Sequence, residues 1–340
     1  MGAFESNRFL LTQAFSQSLE NKNLSDTIAE NPFSRNYYLV AIKKLKKDEM
    51  TEYISPYFYG ELFCIYISIL YGKRFDYHGL LEESGVFYTP NPLILNPIKY
   101  YYLGINNHKP RNDLNIELNL SHFKKIEKLF NKRREKEINI IETAGKFYNK
   151  AIKIYEEEPE IAFLDLVTSG EILSNYYEYS DEELHDVDLK KIFIQINEKF
   201  GKKNKINNII KARLFQIKRK YFLTIKKLLN DNFFQKTDSS VEYGRLKKDD
   251  IDKRIKASYD LRSKYVHNGT KFGHFLYPRS INEINEIQFG VPVIKPVRKN
   301  RELIKSLTDS PTIIGLERII RYCLLKFIHD NIIEIDDQLT

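Results

Sequence analysis

Residues 159–178 read PEIAFLDLVTSGEILSNYYE, and this stretch decides the fold more than any other. A helix that is apolar around most of its circumference belongs at the centre of a bundle. Pro159 and the flanking Glu158 and Glu160 suit the first turn of such a helix. Glu171 falls inside the apolar stretch, where an unpaired carboxylate would be very costly, so we expect it to have a partner. The residues that make the stretch apolar are Ile161, Leu164, Leu166, Val167, Ile172 and Leu173.

Helical periodicity continues on both sides of this segment from about Leu118 onward, with apolar residues recurring every three or four positions. The series Ile140, Ala144, Phe147, Ala151, Ile154 predicts one core-facing helix. Residues 312–328, TIIGLERIIRYCLLKFI, predict a closing helix with its own apolar face. The sequence therefore predicts a mainly α fold with a helical bundle in the C-terminal half.

Residues 1 to about 115 differ, because short apolar runs alternate there with turn signals such as Pro90, Pro92 and Pro97. This pattern predicts an α+β region. At roughly 100–200 residues per domain, a chain of 340 residues predicts two domains, although one large domain fits as well. We place an α+β domain of unknown role at 1–140 and a helical domain at 141–340, with an irregular insertion at about 272–311.

Composition limits the classes of function. The net charge of +8 favours a phosphate-bearing partner, although an AT-rich genome would also inflate the lysine count. Neither Cys64 nor Cys323 has metal-ligand spacing, and no phosphate-binding loop occurs, so we expect no metal and no cofactor. The most apolar run, Leu62 to Gly72, is too short to span a bilayer, which predicts a cytoplasmic protein without a membrane partner.

Residues 199–230 form the most asymmetric charge run, with eleven basic residues and no Asp or Glu. Two interpretations stand. The run is either a solvated helix face, the usual fate of a charge run, or an RNA-binding surface; the absence of acidic residues argues against the first, because soluble helices usually mix both signs. The residues predicted to bind RNA are Lys211, Arg213, Lys218, Arg219 and Lys220.

The segment LRSKYVHNGT (261–270) carries the candidate chemistry. Asn268 and Gly269 are strong helix-ending residues, which places Arg262 and His267 in the last two turns of a helix. Histidine suits proton transfer near neutral pH, and arginine matches phosphate with a permanently charged donor fork. Five residues apart, the two side chains diverge by about 140° on an ideal helix. They can converge if the helix unwinds at Asn268 and Gly269, or if a second subunit contributes an identical pair across a two-fold axis.

YDLRSKYVHNG resembles the Arg-x4-His signature of the HEPN superfamily, in which a polar residue, here Ser263, follows the arginine. AFLDLVTSGEIL (162–173), with Glu171, and TIIGLERIIRYCLLKFI are similar to two helices of the ApeA-like HEPN branch. The resemblance covers about Tyr148 to Asn331.

The resemblance implies a homodimeric helical bundle that cleaves RNA without a metal, as a toxin or an anti-phage effector. It assigns His267 to proton transfer, Arg262 to the scissile phosphate, Ser263 to an orienting hydroxyl and Glu171 to positioning of Arg262. It also implies that the N-terminal region responds to a phage-derived trigger or a regulatory protein. The alternative is a non-catalytic HEPN module for nucleic-acid binding or dimerisation, since the helix dipole favours Arg and His near any helix C-terminus.

Overall fold

The computed structural model describes residues 4–13, 38–42, 56–88, 106, 111–114, 123–130, 135–201, 205–214, 216–276 and 284–335. Helices contain 63% and strands 6% of these residues, so the prediction of a mainly α fold is confirmed. The strands lie in the N-terminal part, which agrees with the predicted α+β character of that region.

The N-terminal part pairs a small sheet with one long helix. Strands β1 (Phe4–Glu5), β2 (Phe9–Gln13) and β3 (Tyr38–Ile42) form an antiparallel sheet in that order, and Phe9 of β2 pairs with Ile42. Phe9 is fully buried and packs edge-on against Phe63 of helix α1 (Pro56–Tyr71). A separate hairpin joins β4 (Glu82–Glu83) to β5 (Val86–Phe87).

The remaining helices follow in chain order: α2 Phe123–Ile126, α3 Glu135–Ile154, α4 Pro159–Ser174, α5 Asp181–Leu184, α6 Val187–Phe200, α7 Lys205–Arg213, α8 Ile217–Leu228, α9 Asp231–Gln235, α10 Ile251–Asn268, α11 Arg301–Asp309 and α12 Ile313–Asn331. Short 3-10 turns lie at Glu127–Phe130, Glu242–Gly244, Lys248–Asp250 and Gly273–Phe275.

Helix α4 is the central helix, as its composition predicts. It starts at Pro159 in the first turn and packs against α3, α8, α10 and α12. Gly170 allows Tyr221 of α8 to approach α4 closely, because a Cβ at that position would lie 2.6 Å from the Tyr221 ring. The four neighbours therefore form a bundle around α4.

Helix α12 is buried on nearly all sides, and its burial includes three charged residues, Glu317, Arg318 and Arg321. Arg111 donates to Glu317 at 2.7 Å and to Asp113 at 2.9 Å. The same network extends to Asp238, 3.3 Å from Arg111. Buried charges need such compensation, since desolvation penalises each of them.

The hydrophobic core continues across the predicted boundary near residue 140, because α1 packs on α3 and joins one core with α4 and α12. The division into two domains stays a prediction. The predicted irregular insertion at about 272–311 is wrong at its end, where Arg301–Asp309 forms helix α11 against α10. Residues 284–300 have no helix or strand, and residues 277–283 lie outside the described residues.

Candidate functional site

The helix that carries the candidate pair ends as predicted. Gly269 adopts the left-handed conformation with φ 64°, and its backbone N–H donates to the carbonyls of Lys264 and Tyr265. Buried Leu261 anchors the last turns against the core. Because the helix runs through Asn268, it is still intact at His267.

Arg262 faces helix α4. Its Nη2 lies 3.4 Å from Oε2 of Glu171, and its guanidinium sits 5.8 Å from the ring centroid of Tyr259. The Arg262 side chain is 24% exposed and that of Glu171 is 14% exposed. The expected partner of the carboxylate is therefore Arg262, and part of the guanidinium remains open to solvent.

Tyr259 lies beside the ion pair of Arg262 and Glu171. Burial and the nearby Glu171 charge raise the pKa of the Tyr259 phenol to about 12. The phenol therefore stays protonated at neutral pH, beside the Glu171 carboxylate. Sequence reasoning missed Tyr259, although its position three residues before Arg262 on the same helical face is a detectable signal.

His267 is exposed and forms no hydrogen bond or ion pair with the residues that the structure describes. On the intact helix it lies about 7.5 Å along the axis from Arg262 and about 140° around it. Unwinding at Asn268 therefore does not bring the pair together. Ser263, half-buried, is four residues from His267 and shares its helical face. One chain thus presents two groups, Arg262 with Glu171, and Ser263 with His267.

The basic segment 199–230 contains no acidic residue, but two of its lysines pair with aspartates of helix α10. Lys218 contacts Asp260 of α10 at 2.5 Å, and Lys226 contacts Asp252 of α10 at 2.7 Å. Arg219 donates to the backbone carbonyl of Glu183. These contacts weaken the case for a surface of free cations, and sequence reasoning missed them because the partners are distant in the chain.

The other predicted RNA-binding residues divide into two groups. Lys220 is half-buried on α8. Lys211 and Arg213 belong to the α7 backbone, but their side chains lie outside the described part of the chain. The RNA-binding assignment of all five residues stays a prediction.

The described residues contain no group of three or more His, Cys, Asp or Glu side chains arranged to hold a metal ion. Nor does any helix in the described ranges combine the length and apolar character needed to cross a membrane.

Comparison with known proteins identifies no relative: no family model, curated protein or solved structure matches the chain. The candidate function therefore rests on the side chains themselves and on the resemblance of their motif.

Proposed function

We propose that this chain is a metal-independent RNA endonuclease of the HEPN type, with a composite site formed by two copies. The observation that carries the proposal is a partly exposed arginine, Arg262, held by Glu171 and Tyr259 on the same helix end that presents His267 to solvent and carries half-buried Ser263. This arrangement orients a phosphate ligand and leaves an imidazole free for proton transfer.

The chemistry needs three roles. A base takes the proton from the ribose 2′-OH, and the oxygen attacks the adjacent phosphorus. The bond to the 5′ oxygen breaks, and an acid protonates the leaving oxygen, so the products carry a 2′,3′-cyclic phosphate and a 5′-OH. His267 and the partner's His267 supply base and acid, while Arg262 binds the scissile phosphate and Ser263 orients it.

A second copy is required by the helix geometry. Arg262 and His267 of one chain point in directions about 140° apart, so a single chain cannot place both on one phosphate. A two-fold axis beside the end of α10 brings His267 of each copy toward Arg262 of the other. The proposed partners are thus RNA and a second copy of this chain.

Labelled RNA incubated with the protein in EDTA tests the proposal. We expect fragments ending in 2′,3′-cyclic phosphate, and loss of cleavage by at least about 100-fold in Arg262→Ala and His267→Ala. His78→Ala, which removes another exposed imidazole, is the matched control and should cleave normally. Equal cleavage by His267→Ala would remove His267 from the site.

The second candidate is a non-catalytic module that binds nucleic acid or dimerises. The divergence of Arg262 from His267 within one chain favours it. It predicts RNA binding without turnover and a steep salt dependence, with a log-log slope near −0.7 for each neutralised phosphate of a single strand. Binding without fragments at any protein concentration would select this candidate over the nuclease.

The biological role follows from the resemblance of the motif. We propose a cytoplasmic toxin or anti-phage effector whose N-terminal part responds to a phage-derived trigger or a regulatory protein. Expression of the wild type in a bacterial host, with and without phage challenge, should arrest growth, and His267→Ala should not. Equal growth with both proteins under both conditions would remove the toxin role.

A further inference from the structure

The chain just before helix α11 carries four cations that have no acidic partner. Residues 287–301 contain no Asp or Glu. In the part of the chain that the structure describes, none of the four cations forms an ion pair or a side-chain hydrogen bond. Two lysines of the basic segment 199–230, by contrast, are held by aspartates of α10. We call these four exposed residues the basic turn: Lys295, Arg298, Lys299 and Arg301.

A backbone hydrogen bond and the helix that follows hold the basic turn in place. The N–H of Asn300 donates to the carbonyl of Val297 at 3.2 Å, which closes a β-turn with Arg298 and Lys299 as its two central residues. Helix α11 follows directly and packs against α10, with Leu307 fully buried. The cations therefore project from a chain that this helix fixes to the rest of the molecule.

Helix α11 runs in the opposite direction to α10, which brings the basic turn toward the end of α10 that carries His267. Nζ of Lys264 donates to Oγ of Ser306 at 3.0 Å. Nη1 of Arg254, ten residues earlier on α10, donates to the carbonyl of Thr308 at 2.8 Å. Moving forward along α11 thus means moving back along α10. The residues that precede Ser306 lie on the His267 side.

The end of α10 is itself basic on the side that faces this turn. Lys264 and His267 are three positions apart and therefore about 60° apart around the helix. Residues 261–276 contain no Asp or Glu, and Lys271, just beyond the helix, is exposed. Asp260, one turn before Lys264, is paired with Lys218. Two basic segments thus meet at this end of α10, and neither contributes an acid.

Two acidic residues of α11 limit the positive surface. Glu302 follows Arg301 and offsets one cation of the basic turn. Asp309 lies at the other end of the helix, about 12 Å from Arg301. With Lys305 between them, the rest of α11 has little net charge. The positive surface therefore extends from Arg301 toward His267 and not along α11.

We infer that the basic turn binds backbone phosphates of single-stranded RNA, on the strand that flanks the bond cleaved at His267. A groove of unpaired cations suits a flexible phosphate backbone and requires no particular base sequence. The inference rests on the proposed function, because the RNA is that of the proposed reaction. It places the RNA on the α11 side of His267, opposite the lysines of α8 that are paired with aspartates.

An anionic bilayer fits this segment less well. The segment does expose three valines, and basic residues beside exposed apolar ones can bind lipid. However, residues 284–300 form no helix, so they present no continuous apolar face to a membrane. The position beside His267 favours RNA. The exposed valines are Val291, Val293 and Val297.

Binding of the full chain to a labelled single-stranded 2′-O-methyl oligonucleotide tests the inference. This ligand has no free 2′-OH to attack the phosphate, so it stays intact whether or not the protein is a nuclease. The test protein is the triple variant Arg298→Gln/Lys299→Gln/Arg301→Gln. The matched control removes three exposed lysines outside the surface and lowers the net charge equally: Lys124→Gln/Lys128→Gln/Lys190→Gln.

The triple variant should bind the oligonucleotide at least about tenfold more weakly than the wild type at about 0.15 M salt. Its log-log salt slope should be shallower by about 2, because each phosphate contact on a single strand contributes about 0.7. The control should retain the wild-type affinity and slope. Lys299→Gln alone should reduce the slope by about 0.7. Circular dichroism verifies the helical content of each variant.

A wild type that does not bind the oligonucleotide would overturn the inference. So would equal affinities of the triple variant and the control. If the triple variant loses helical content, Lys299→Gln decides, and an unchanged slope overturns the inference. Vesicles containing phosphatidylserine test the bilayer: a triple variant that loses vesicle binding but still binds the oligonucleotide also overturns it.

Cleavage of ordinary RNA in EDTA is recorded separately with the same proteins. A wild type that binds through the basic turn without cutting retains this surface and removes only the proposed reaction. A wild type that cuts RNA, with a triple variant that binds as the control does, retains the reaction and removes this surface.

Discussion

At the scale of single residues, the orientation of Arg262 depends on two neighbours with different contributions. Glu171 supplies a negative charge at 3.4 Å, and Tyr259 supplies an aromatic face 5.8 Å from the guanidinium. The sequence predicted that Glu171 needs a partner, and the motif resemblance pointed to Arg262. The divergence of Arg262 and His267 also followed from their spacing. The contact of Arg262 with Tyr259 could be predicted from helical geometry alone, because the two residues are three positions apart. The pairing of Lys218 with Asp260 could not be predicted in this way, because it depends on how α8 and α10 pack.

Glu171→Gln tests whether that carboxylate positions the arginine. We expect the kcat for RNA cleavage to fall about 10- to 100-fold, because a small displacement of a phosphate-binding group is costly. The free energy of unfolding should change by less than about 1 kcal/mol, since the pair is partly exposed. Chemical denaturation and cleavage rates separate the two effects. An unchanged kcat would show that Arg262 does not depend on Glu171.

At the scale of helices, the pattern of apolar residues predicted the presence of a helix better than it predicted which face of the helix is buried. Ala144 and Ala151 of the predicted series on α3 are buried, but Ile140, Phe147 and Ile154 are only partly buried. The buried side also contains Ile141, Tyr148 and Ile152, because Gly145 and Asn149 face α1. Helix α11 was missed because prolines and glycines around it suggested irregular chain. Its leucines, including fully buried Leu307, are few but face α10.

The start of α12 offers a test of close packing. A Cβ at Gly315 would overlap the backbone carbonyl of Glu286, which cannot move as a side chain can. Gly315→Ala should therefore lower the free energy of unfolding by about 1–3 kcal/mol. Urea denaturation measures it, with Gly85→Ala as a substitution where a Cβ meets nothing within 4 Å. Because Gly85 has positive φ, Gly85→Ala should lower the free energy of unfolding through backbone strain alone, and by less than Gly315→Ala. Equal losses in both variants would contradict the packing argument.

At the scale of the whole molecule, the buried charge network joins residues that are far apart in the chain. Arg111 and Asp113 come from the N-terminal region, Asp238 from the segment after α9, and Glu317 and Arg321 from α12. Sequence patterns treat charged residues as surface residues, so they gave no indication of this network. The central position of helix α4 and the mainly α fold class could be predicted, because both follow from the pattern of apolar residues.

Asp238 makes the stability of this network dependent on pH. Burial, reinforced by the charges of Asp113 and Glu317, raises the pKa of the Asp238 carboxyl to about 6, even though Arg111 acts in the opposite direction. The unfolded chain ionises near 3.8, so the stability contributed by protonated Asp238 is lost as pH rises from about 4 to 6. The pKa values of Asp113, about 2, and Lys73, about 8, lie outside this window.

Asp238→Asn removes that titration. The free energy of unfolding of the wild type minus that of Asp238→Asn should fall by on the order of 1–3 kcal/mol between pH 4 and pH 6. Urea denaturation of both proteins at a series of pH values measures the difference, and other carboxyl groups cancel in the comparison. A difference that stays constant from pH 4 to pH 6 would contradict the raised pKa.

The central claim is that His267 transfers protons in RNA cleavage without a metal. The most direct measurement is the single-turnover rate at which wild type and His267→Ala cleave labelled RNA in EDTA, at a protein concentration where the wild type is dimeric. The account predicts cleavage by the wild type with 2′,3′-cyclic phosphate ends and a rate at least about 100-fold lower for His267→Ala. Equal rates for the two proteins, or no cleavage by the dimeric wild type, would contradict it.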